Sequence, residues 1–379
     1  MTSFYNKTLK PKFIQVKRFD PKTKIAIDGT KSSQILVFEI SEIFKLKSLK
    51  WLTTLNITSG GGSTVTRLYK QGIYAFIQNV KVLLGGVEIF NMNDVDKYYA
   101  SLVDLMKIDS LTGTGWNQWI GSNYNLATGG ASGTYDFILP LKDIPVFDKD
   151  VVLDTTNFSN GLRIEITFKQ FVNNLYSDAA PSAISLENNF LLCDSYDKGD
   201  NYKDTFNLYI KRIDTQSNGI TSASSTINLT AAYTKVSKIW FSQLTTANID
   251  DGTKSDQYDS KSSNITSYQF KIQNTYYPEN QPTQLSVMRL YAQDLYEYKN
   301  SEKVFYYRGS DISDFTNNSF VGGFFFSKYN QDKKYKDFSG SNNSLILQYS
   351  AAPAVTLYIF TVYKAAVVIK NNRVVKVLT

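Results

Sequence analysis

The sequence predicts an all-β protein made of two similar domains, and three observations lead to this prediction. Aromatic residues make up 14% of the 379 residues, with 26 Tyr and 24 Phe, and such side chains favour strands over helices. Short runs of alternating apolar and polar residues are separated by stretches rich in Gly, Asn, Ser and Thr, as turn-rich β proteins require. The second half of the chain repeats features of the first half at an offset of about 190 residues.

Four strands are predicted in the first half from β-branched, aromatic or alternating residues. They cover Ile35–Ile40, Leu49–Ile57, Ile73–Leu84 and Gly161–Gln170. The last segment alternates most regularly, because its even-numbered positions are apolar and its odd-numbered positions polar from Leu162 onward. This period of two indicates a strand with one face in the core and one face in water.

A pair of glycines, Gly85-Gly86, stands between the third predicted strand and a helical segment, where a phosphate-binding loop could also occur. A phosphate-binding loop needs a longer glycine spacing that leads directly into a helix. Here the glycines are followed by more strand, from Val87 to Phe90. The spacing therefore predicts a two-residue β-hairpin turn, in which both central residues take positive φ.

One helix is predicted after this hairpin. Asn93 can cap it, and Asp94 and Asp96 in the first turn suit the helix dipole. An apolar stripe follows at helical spacing: Val95, Tyr98, Tyr99, Leu102 and Met106. A stripe of this kind indicates packing against a core rather than a cofactor site.

The repeat consists of four matches in the same order along the chain. Trp51–Leu55 matches Trp240–Leu244, Val80–Val82 matches Phe270–Ile272, the helix from Asn93 matches one near Thr283, and Val37–Ile40 matches Ile227–Thr230. The second helix carries its own stripe of Leu285, Met288, Ala292, Leu295 and Tyr296. The matches predict two domains that meet in the polar, acidic segment Asp194–Asp204. Two strands around an Asn371-Asn372 turn close the chain.

Composition excludes several classes of function. The chain has no His, which removes the commonest general base and most zinc sites, and its net charge of +7 is mild for a dedicated nucleic-acid binder. The single Cys, Cys193, lies in an apolar strand and is expected to be a buried structural thiol. The first ten residues lack an apolar core and no run of 18 apolar residues occurs, so we predict no signal peptide and no membrane span.

The segment before Asp28 holds most of the net positive charge. Its basic residues are Lys7, Lys10, Lys12, Lys17, Arg18, Lys22 and Lys24, against one acid, Asp20. Two interpretations remain open: a solvated, partly ordered tail, or a basic arm that contacts lipid head groups or nucleic acid.

Other charged groups point to no site. Asp194, Asp197, Asp200 and Asp204 form one acidic loop, and Asp250, Asp251, Asp256 and Asp259 form another. Neither has the ligand spacing of a calcium loop, so we expect solvated loops and no metal. The group Lys333, Lys334 and Lys336, with Tyr335 and Phe338 beside it, weakly suggests nucleic acid, but a solvated loop is the preferred interpretation. No pair of carboxylates can be placed across a glycosidase cleft.

The sequence resembles the double jelly-roll major capsid proteins of tailless icosahedral viruses with an internal membrane, the lineage that includes the adenovirus hexon. The resemblance rests on the WLTTL and WFSQL strands, on VKVLLGGVEIF, on the paired helices from Asn93 and Thr283, and on the basic segment. It implies two tandem jelly-roll β-barrels, each with an inserted short α-helix. The expected divisions are a basic arm at 1–29, a first roll at 30–197 and a second at 198–379.

The resemblance also implies a function. The expected role is that of a major capsid protein, with no enzymatic activity, cofactor or small-molecule substrate, in a virion assembled in the host cytoplasm. Expected partners are the chain itself, as a homotrimer and then a lattice, together with penton and minor proteins. By position and charge, Lys7, Lys10, Lys12, Lys17 and Arg18 match an arm that points inward to a viral membrane. The Asn- and Tyr-rich composition suggests a bacteriophage. The alternative is a two-domain surface adhesin or carbohydrate-binding protein.

Overall fold

The computed structural model describes residues 12–23, 26–58, 65–105, 120–122, 124–128, 132–177, 181–197, 205–295, 312–329, 335–340 and 342–379. Its strands are β1 (Phe13–Phe19), β2 (Ile27–Asp28), β3 (Ile35–Ile40), β4 (Ile43–Lys45), β5 (Lys50–Thr58), β6 (Val65–Arg67), β7 (Ile77–Leu84), β8 (Val87–Asn93), β9 (Asn125–Thr128), β10 (Gly133–Pro140), β11 (Val152–Asp154), β12 (Leu162–Phe168), β13 (Tyr176–Ser177), β14 (Ala183–Tyr196), β15 (Phe206–Ile220), β16 (Ser224–Asn228), β17 (Val236–Thr245), β18 (Ile265–Ile272), β19 (Thr275–Tyr277), β20 (Val321–Phe325), β21 (Ser344–Tyr349), β22 (Val355–Lys370) and β23 (Arg373–Leu378).

The helices of the described residues are few and short. They are α1 (Val95–Leu105), α2 (Leu285–Leu295), α3 (Ile312–Asn317) and α4 (Phe326–Tyr329), with 3-10 turns at Leu46–Ser48, Gly72–Phe76, Leu141–Asp143, Phe171–Asn173 and Thr246–Asn248. Within the described ranges, none of these helices has the length and apolar character needed to cross a membrane.

The first half of the chain folds into two antiparallel sheets that face each other. One sheet has β14 at its centre, with β5 and then β10 on one side and β1 and β2 on the other. The second sheet has the order β3-β12-β7-β8. Short strands extend this core: β4 and β11 join the first sheet, and β6, β9 and β13 form a small separate sheet.

The second half repeats this arrangement strand for strand. Its sheets have the orders β15-β22-β17-β20 and β16-β21-β18-β19, and β23 folds back onto β22. The eight principal strands, in chain order, are β1, β3, β5, β7, β8, β10, β12 and β14 in the first half and β15 to β22 in the second. Counted in this way, one sheet of each half has the order first-eighth-third-sixth and the other has the order second-seventh-fourth-fifth. This Greek-key order defines a jelly roll. The predicted fold of two tandem jelly rolls, each with an inserted helix after its fifth strand, is therefore confirmed.

The Gly85-Gly86 hairpin is also confirmed. Leu84 pairs with Val87 across the turn, and the two glycines have φ values of 58° and 81°. The third predicted strand differs at its start, because the chain forms a 3-10 turn at Gly72–Phe76 and β7 begins only at Ile77. All five residues of that turn are buried, so an apolar run that resembled a strand is instead a packed turn.

Helix α1 begins at Val95, so the residue directly before it is Asp94 and not the predicted cap, Asn93. Asn93 is the last residue of β8, and its side-chain oxygen accepts a hydrogen bond from Asn79 at 2.8 Å. Asp94 then turns the chain with a φ of 51°, and its carbonyl accepts the first helical bond from Tyr98. In the second roll the corresponding acceptor is the carbonyl of Gln284. Met106 and Tyr296 of the predicted stripes lie outside the described residues.

The N-terminal strand changes the expected extent of the arm. Strand β1 contains the apolar residues Phe13, Ile14, Val16 and Phe19, and it pairs with β14 from Phe13 to Phe19. β2 pairs with the same strand at Ile27 and Asp28. Both strands lie within the segment 1–29, so among the described residues the first roll starts at Phe13.

Candidate functional site

Helix α1 lies where the two rolls meet. Ten of its 11 residues are buried, which is unusual for a surface helix with a charged sequence. One side packs on the 3-10 turn Gly72–Phe76 and on β7 of its own roll, while another side contacts α2 and β20 of the second roll. The helix therefore packs between the two rolls rather than on one roll only.

An aromatic contact joins α1 to the second roll. The ring of Tyr98 lies 5.8 Å from that of Trp240 and 5.7 Å from that of Phe360, measured between centroids. The indole Nε1 of Trp240 donates a hydrogen bond to Ser101 Oγ at 3.1 Å. Both polar atoms of this contact are thereby satisfied, and the aromatic rings exclude water from it.

A cluster of charged side chains surrounds Asp96, which is fully buried. Lys169 Nζ donates to Asp96 Oδ2 at 2.7 Å, and Lys97 Nζ lies 3.0 Å from the same oxygen. From the second roll, Tyr258 donates its hydroxyl to Asp96 at 3.0 Å. Asp250 of the second roll lies 3.2 Å from Lys169 and 3.6 Å from Lys97. Each roll thus contributes one carboxylate to the two lysines.

The charged groups of this cluster stabilise one another's ionised forms. Burial opposes ionisation of both carboxyl groups, but the two lysines hold the pKa of Asp96 below its usual value. Against the same opposition from burial, Lys97 and Lys169 lower the pKa of Asp250 to about 2. Burial also raises the pKa of Tyr258 well above the usual range, with Asp96 adding to this. The cluster is therefore a network of ion pairs with a neutral phenol as donor.

A second link lies beside the first. Lys70 and Asp104 form a buried pair within the first roll, with Nζ 2.7 and 2.8 Å from the two carboxylate oxygens. The same ammonium lies 3.7 Å from Asp259 of the second roll and donates to the carbonyl of Asn318 at 3.4 Å. Nearby, Tyr69 donates to the carbonyl of Lys254 at 2.7 Å.

These contacts give the acidic loop 250–259 a role that the sequence did not predict. The loop was expected to be solvated, but Asp250 and Asp259 face lysines of the first roll. Sequence reasoning missed the partners because Lys97 and Lys169 are separated from Asp250 by 153 and 81 positions in the numbering. Its carboxylates and ammonium groups are paired with one another, and the arrangement acts by fixing how the two rolls sit together.

Of the predicted arm residues, the three that the structure describes do not form one basic patch. Lys7 and Lys10 lie outside the described residues, and Lys12 is exposed at the start of β1. Lys17 forms an ion pair with Glu42, and Arg18 pairs with Asp20 at 2.8 Å while its guanidinium lies 4.0 Å from the centre of the Phe190 ring. Lys17 and Arg18 are thus held on the sheet of the first roll.

The other predicted residues fall in ordinary positions. Cys193 is buried, and burial raises the pKa of its thiol to about 12, as expected of a structural cysteine. Lys333 and Lys334 lie outside the described residues. Lys336 sits 4.9 Å from the centre of the Tyr277 ring, and Phe338 is fully buried in the core, so it cannot stack on a base.

The described residues also offer no metal site. No three Asp, Glu or Cys side chains of the described ranges converge as ligands. Of the linker acids, Asp200 and Asp204 lie outside those ranges. In the other loop, Asp251 accepts hydrogen bonds from Thr253, and Asp256 pairs with Lys261 at 2.5 Å.

Two clefts lie on the surface of the described residues. The larger, of about 630 Å³, lies between the Gly85 turn and the C-terminal hairpin and is lined by Gly85, Asn157, Ser159, Asn371, Asn372, Arg373 and Val374. The smaller, of about 220 Å³, lies beside the acidic loop and is lined by Val172, Asn173, Leu175, Ser177, Asp250, Asp251, Gly252 and Thr253. Neither presents an aromatic ring on which a sugar could stack.

The sequence matches no protein-family model and no curated protein sequence. Solved structures match over nearly the whole chain. The PBCV-1 virus capsid is similar at a TM-score of 0.67 and 11% identity, covering 99% of this chain and 100% of that one. The Faustovirus major capsid protein is similar at 0.63 and 9% identity, covering 98% and 93%. The mavirus major capsid protein is similar at 0.53 and 10% identity, covering 97% and 92%.

These similarities define the class of fold. Both rolls, their order and their helices are covered in each comparison, so the chain has the fold of double jelly-roll major capsid proteins. At such low identity the similarity concerns the course of the backbone and not individual side chains.

Proposed function

We propose that this protein is the major capsid protein of an icosahedral virus. The observation that supports this most directly is the pair of jelly rolls with one strand order, fixed side by side through the buried contact of α1. Such a rigid double unit suits a shell, because each chain then presents two equivalent building blocks in a set orientation. The similarity to capsid proteins of three different viruses along almost the whole chain supports the same conclusion.

The proposed assembly is a homotrimer of pseudo-hexagonal outline that packs into a lattice around an inner membrane and genome. In this proposal the protein has no enzymatic activity and is located in the virion after assembly in the host cytoplasm. Penton and minor capsid proteins are its other proposed partners. The proposed divisions are the rolls at 30–197 and 198–379, with β1 and β2 completing the first roll. A bacteriophage source stays a prediction.

An N-terminal arm that contacts the membrane is also proposed, with narrower limits than the sequence suggested. The segment before Phe13, with Lys7, Lys10 and Lys12, remains for this role. Lys17 and Arg18 were assigned to the arm as well, but their ion pairs with Glu42 and Asp20 favour a contribution to the first roll.

Particle mass and outline test the proposal. Light scattering should give a trimer of three times 42.9 kDa, about 129 kDa, and electron microscopy of the same sample should show a pseudo-six-fold outline. A protein that stays monomeric at high concentration and binds glycans on an array would instead support the adhesin or carbohydrate-binding alternative. The absence of aromatic rings from both clefts described above disfavours that alternative.

A further inference from the structure

The inserted helices of the two rolls occupy the same place in the topology but differ in exposure. In α1, ten of 11 residues are buried, because the helix packs on its own roll on one side and on the second roll on another. In α2, only Met288, Ala292 and Leu295 are buried. Val287 and Leu290 stay 37% and 57% exposed. We call these two residues the open helix face.

The sheets that could receive a helix also differ between the rolls. In the second roll, Phe241 points inward to Tyr268. Trp240, the residue before Phe241, therefore points to the outer face of the sheet β15-β22-β17-β20, as does Phe360, whose ring lies beside that of Trp240. These two outer residues are nevertheless buried, because Tyr98 of α1 covers them.

The matching face of the first roll is less completely covered, although the Arg18 guanidinium lies 4.0 Å from the centre of the Phe190 ring on this face. Its outward positions alternate with the inward residues Trp51, Leu191 and Cys193, which are buried in the core. Five apolar residues occupy these outward positions: Val16, Leu52, Ile138, Phe190 and Leu192. Val16 is 56% exposed and the other four are half-buried. We call these five residues the open sheet face.

We propose that the open helix face of one chain docks on the open sheet face of a second copy of the same chain. This contact repeats between chains the arrangement that α1 and the second roll already form within one chain. Each chain has one open helix face and one open sheet face. The face that matches each of them lies on another copy of the chain. The apolar side chains of both faces suit the core of a protein interface, and Arg18 and Lys50, which share the outward side of the sheet, suit its polar rim.

Such a contact is head-to-tail, and its repetition either closes a ring or extends a filament. A ring of six rolls contains three chains. The inference therefore rests on the proposed capsomer function and assigns its surfaces: the contacts within a chain and between chains alternate around the ring.

Charged substitutions on exposed residues test the docking without disturbing the core. Leu290→Asp alters the helix face and Val16→Asp alters the sheet face, and the two side chains are almost equally exposed. Ile35→Asp is the matched control, because Ile35 is 48% exposed on β3 and belongs to neither face. Leu290→Asp and Val16→Asp should each weaken self-association roughly tenfold or more while melting stays unchanged. Ile35→Asp should associate as the wild type does.

Mixing the two variants provides a sharper test. An equimolar mixture should form dimers of about twice 42.9 kDa in sedimentation, because one intact helix face can still meet one intact sheet face. If the mixture stays monomeric, or if either variant associates normally, the docking is wrong while the capsid function stands. A wild-type protein that is monomeric at every concentration would overturn the proposed function, and the docking with it.

Discussion

At the scale of single residues, Asp96 carries the most consequential interactions. A buried carboxylate is tolerated only when its charge is paired. Here two ammonium groups and the Tyr258 hydroxyl converge on one carboxylate oxygen. Because the tyrosine belongs to the second roll, the stability of the first roll and the docking of the second depend on one side chain.

Asp96→Asn should strongly destabilise the protein. The substitution keeps the size of the side chain but leaves two partly desolvated lysines with half of their counter-charge, and breaking such a network costs about 3 kcal/mol or more. The midpoint of urea unfolding measures this. Asp148→Ala is the control, because this exposed carboxylate lies 3.9 Å from Lys47 and should contribute less than about 1 kcal/mol. Equal midpoints for both variants would contradict the importance of the cluster.

Asp250 should make the stability depend on acidity. Its pKa falls from 3.8 to about 2 in the folded protein. Between these values the unfolded chain binds more protons than the folded chain, so the free energy of unfolding decreases as pH falls through this window. The difference in urea midpoint between wild type and Asp250→Asn should therefore be smaller at about pH 3 than at about pH 5. A constant difference at both pH values would exclude this linkage.

At the scale of elements, α1 and α2 have the same helical pattern but different surroundings. Pattern alone predicted both helices and the buried positions Met288, Ala292 and Leu295. It did not predict that nearly every position of α1, including Asp96 and Lys97, would be buried. That burial comes from parts of both rolls that lie far from α1 in the sequence.

Leu295→Asp and Leu102→Asp should therefore differ in severity. Leu295 is fully buried, whereas Leu102 is only partly buried against the core. A carboxylate at position 295 would replace an apolar side chain in the core and should cost about 3 kcal/mol or more, enough to prevent folding of a marginal domain. Leu102→Asp should lower the melting temperature less. Wild-type melting of both variants would show that the helices are misplaced.

Two truncations of the N-terminus distinguish the role of strand β1 from that of the segment before it. Removing residues 1–12 leaves β1 intact, so melting should be unchanged while binding to anionic vesicles and particle yield fall with the loss of three lysines. Removing residues 1–24 also takes away the pairing of β1 with β14 and should lower the melting temperature. An unaltered particle yield from the shorter truncation on membranes would exclude the arm's role.

At the scale of the whole molecule, the two rolls should unfold as one unit. Tyr98 contacts both Trp240 and Phe360 across the boundary, and Lys70 and Lys169 add charged links beside it. The buried apolar residues of the two rolls form one continuous cluster that includes α1, so their shared cooperativity depends on this boundary.

Tyr98→Ala should uncouple the rolls. The change leaves a cavity against two aromatic rings and should cost about 3 kcal/mol. Calorimetry should then resolve two transitions where the wild type shows one. Tyr209→Ala is a suitable control, because Tyr209 is 46% exposed and its loss should leave a single transition. A single transition in Tyr98→Ala would show that other contacts suffice to couple the rolls.

The tryptophan repeat shows where local pattern stops being informative. The sequence matched Trp51 with Trp240, and both lie in the third principal strand of their rolls. Trp51 points inward, with its ring centroid 5.8 Å from that of Phe168 in the opposite sheet. Trp240 points outward to Tyr98. Successive side chains of a strand alternate between faces, so a displacement by one residue reverses the side on which a matching residue lies.

The sequence by itself determined the all-β class, the hairpin at Gly85-Gly86, the helices and the doubled plan. Each of these follows from periodicity or turn chemistry within a few consecutive residues. Only the tertiary structure decided that β1 joins the first sheet, that Asp250 meets Lys169, and that α2 keeps an open face while α1 has none. These outcomes depend on residues far apart in the chain, whose contacts are set by strand register and by the packing of one roll on the other.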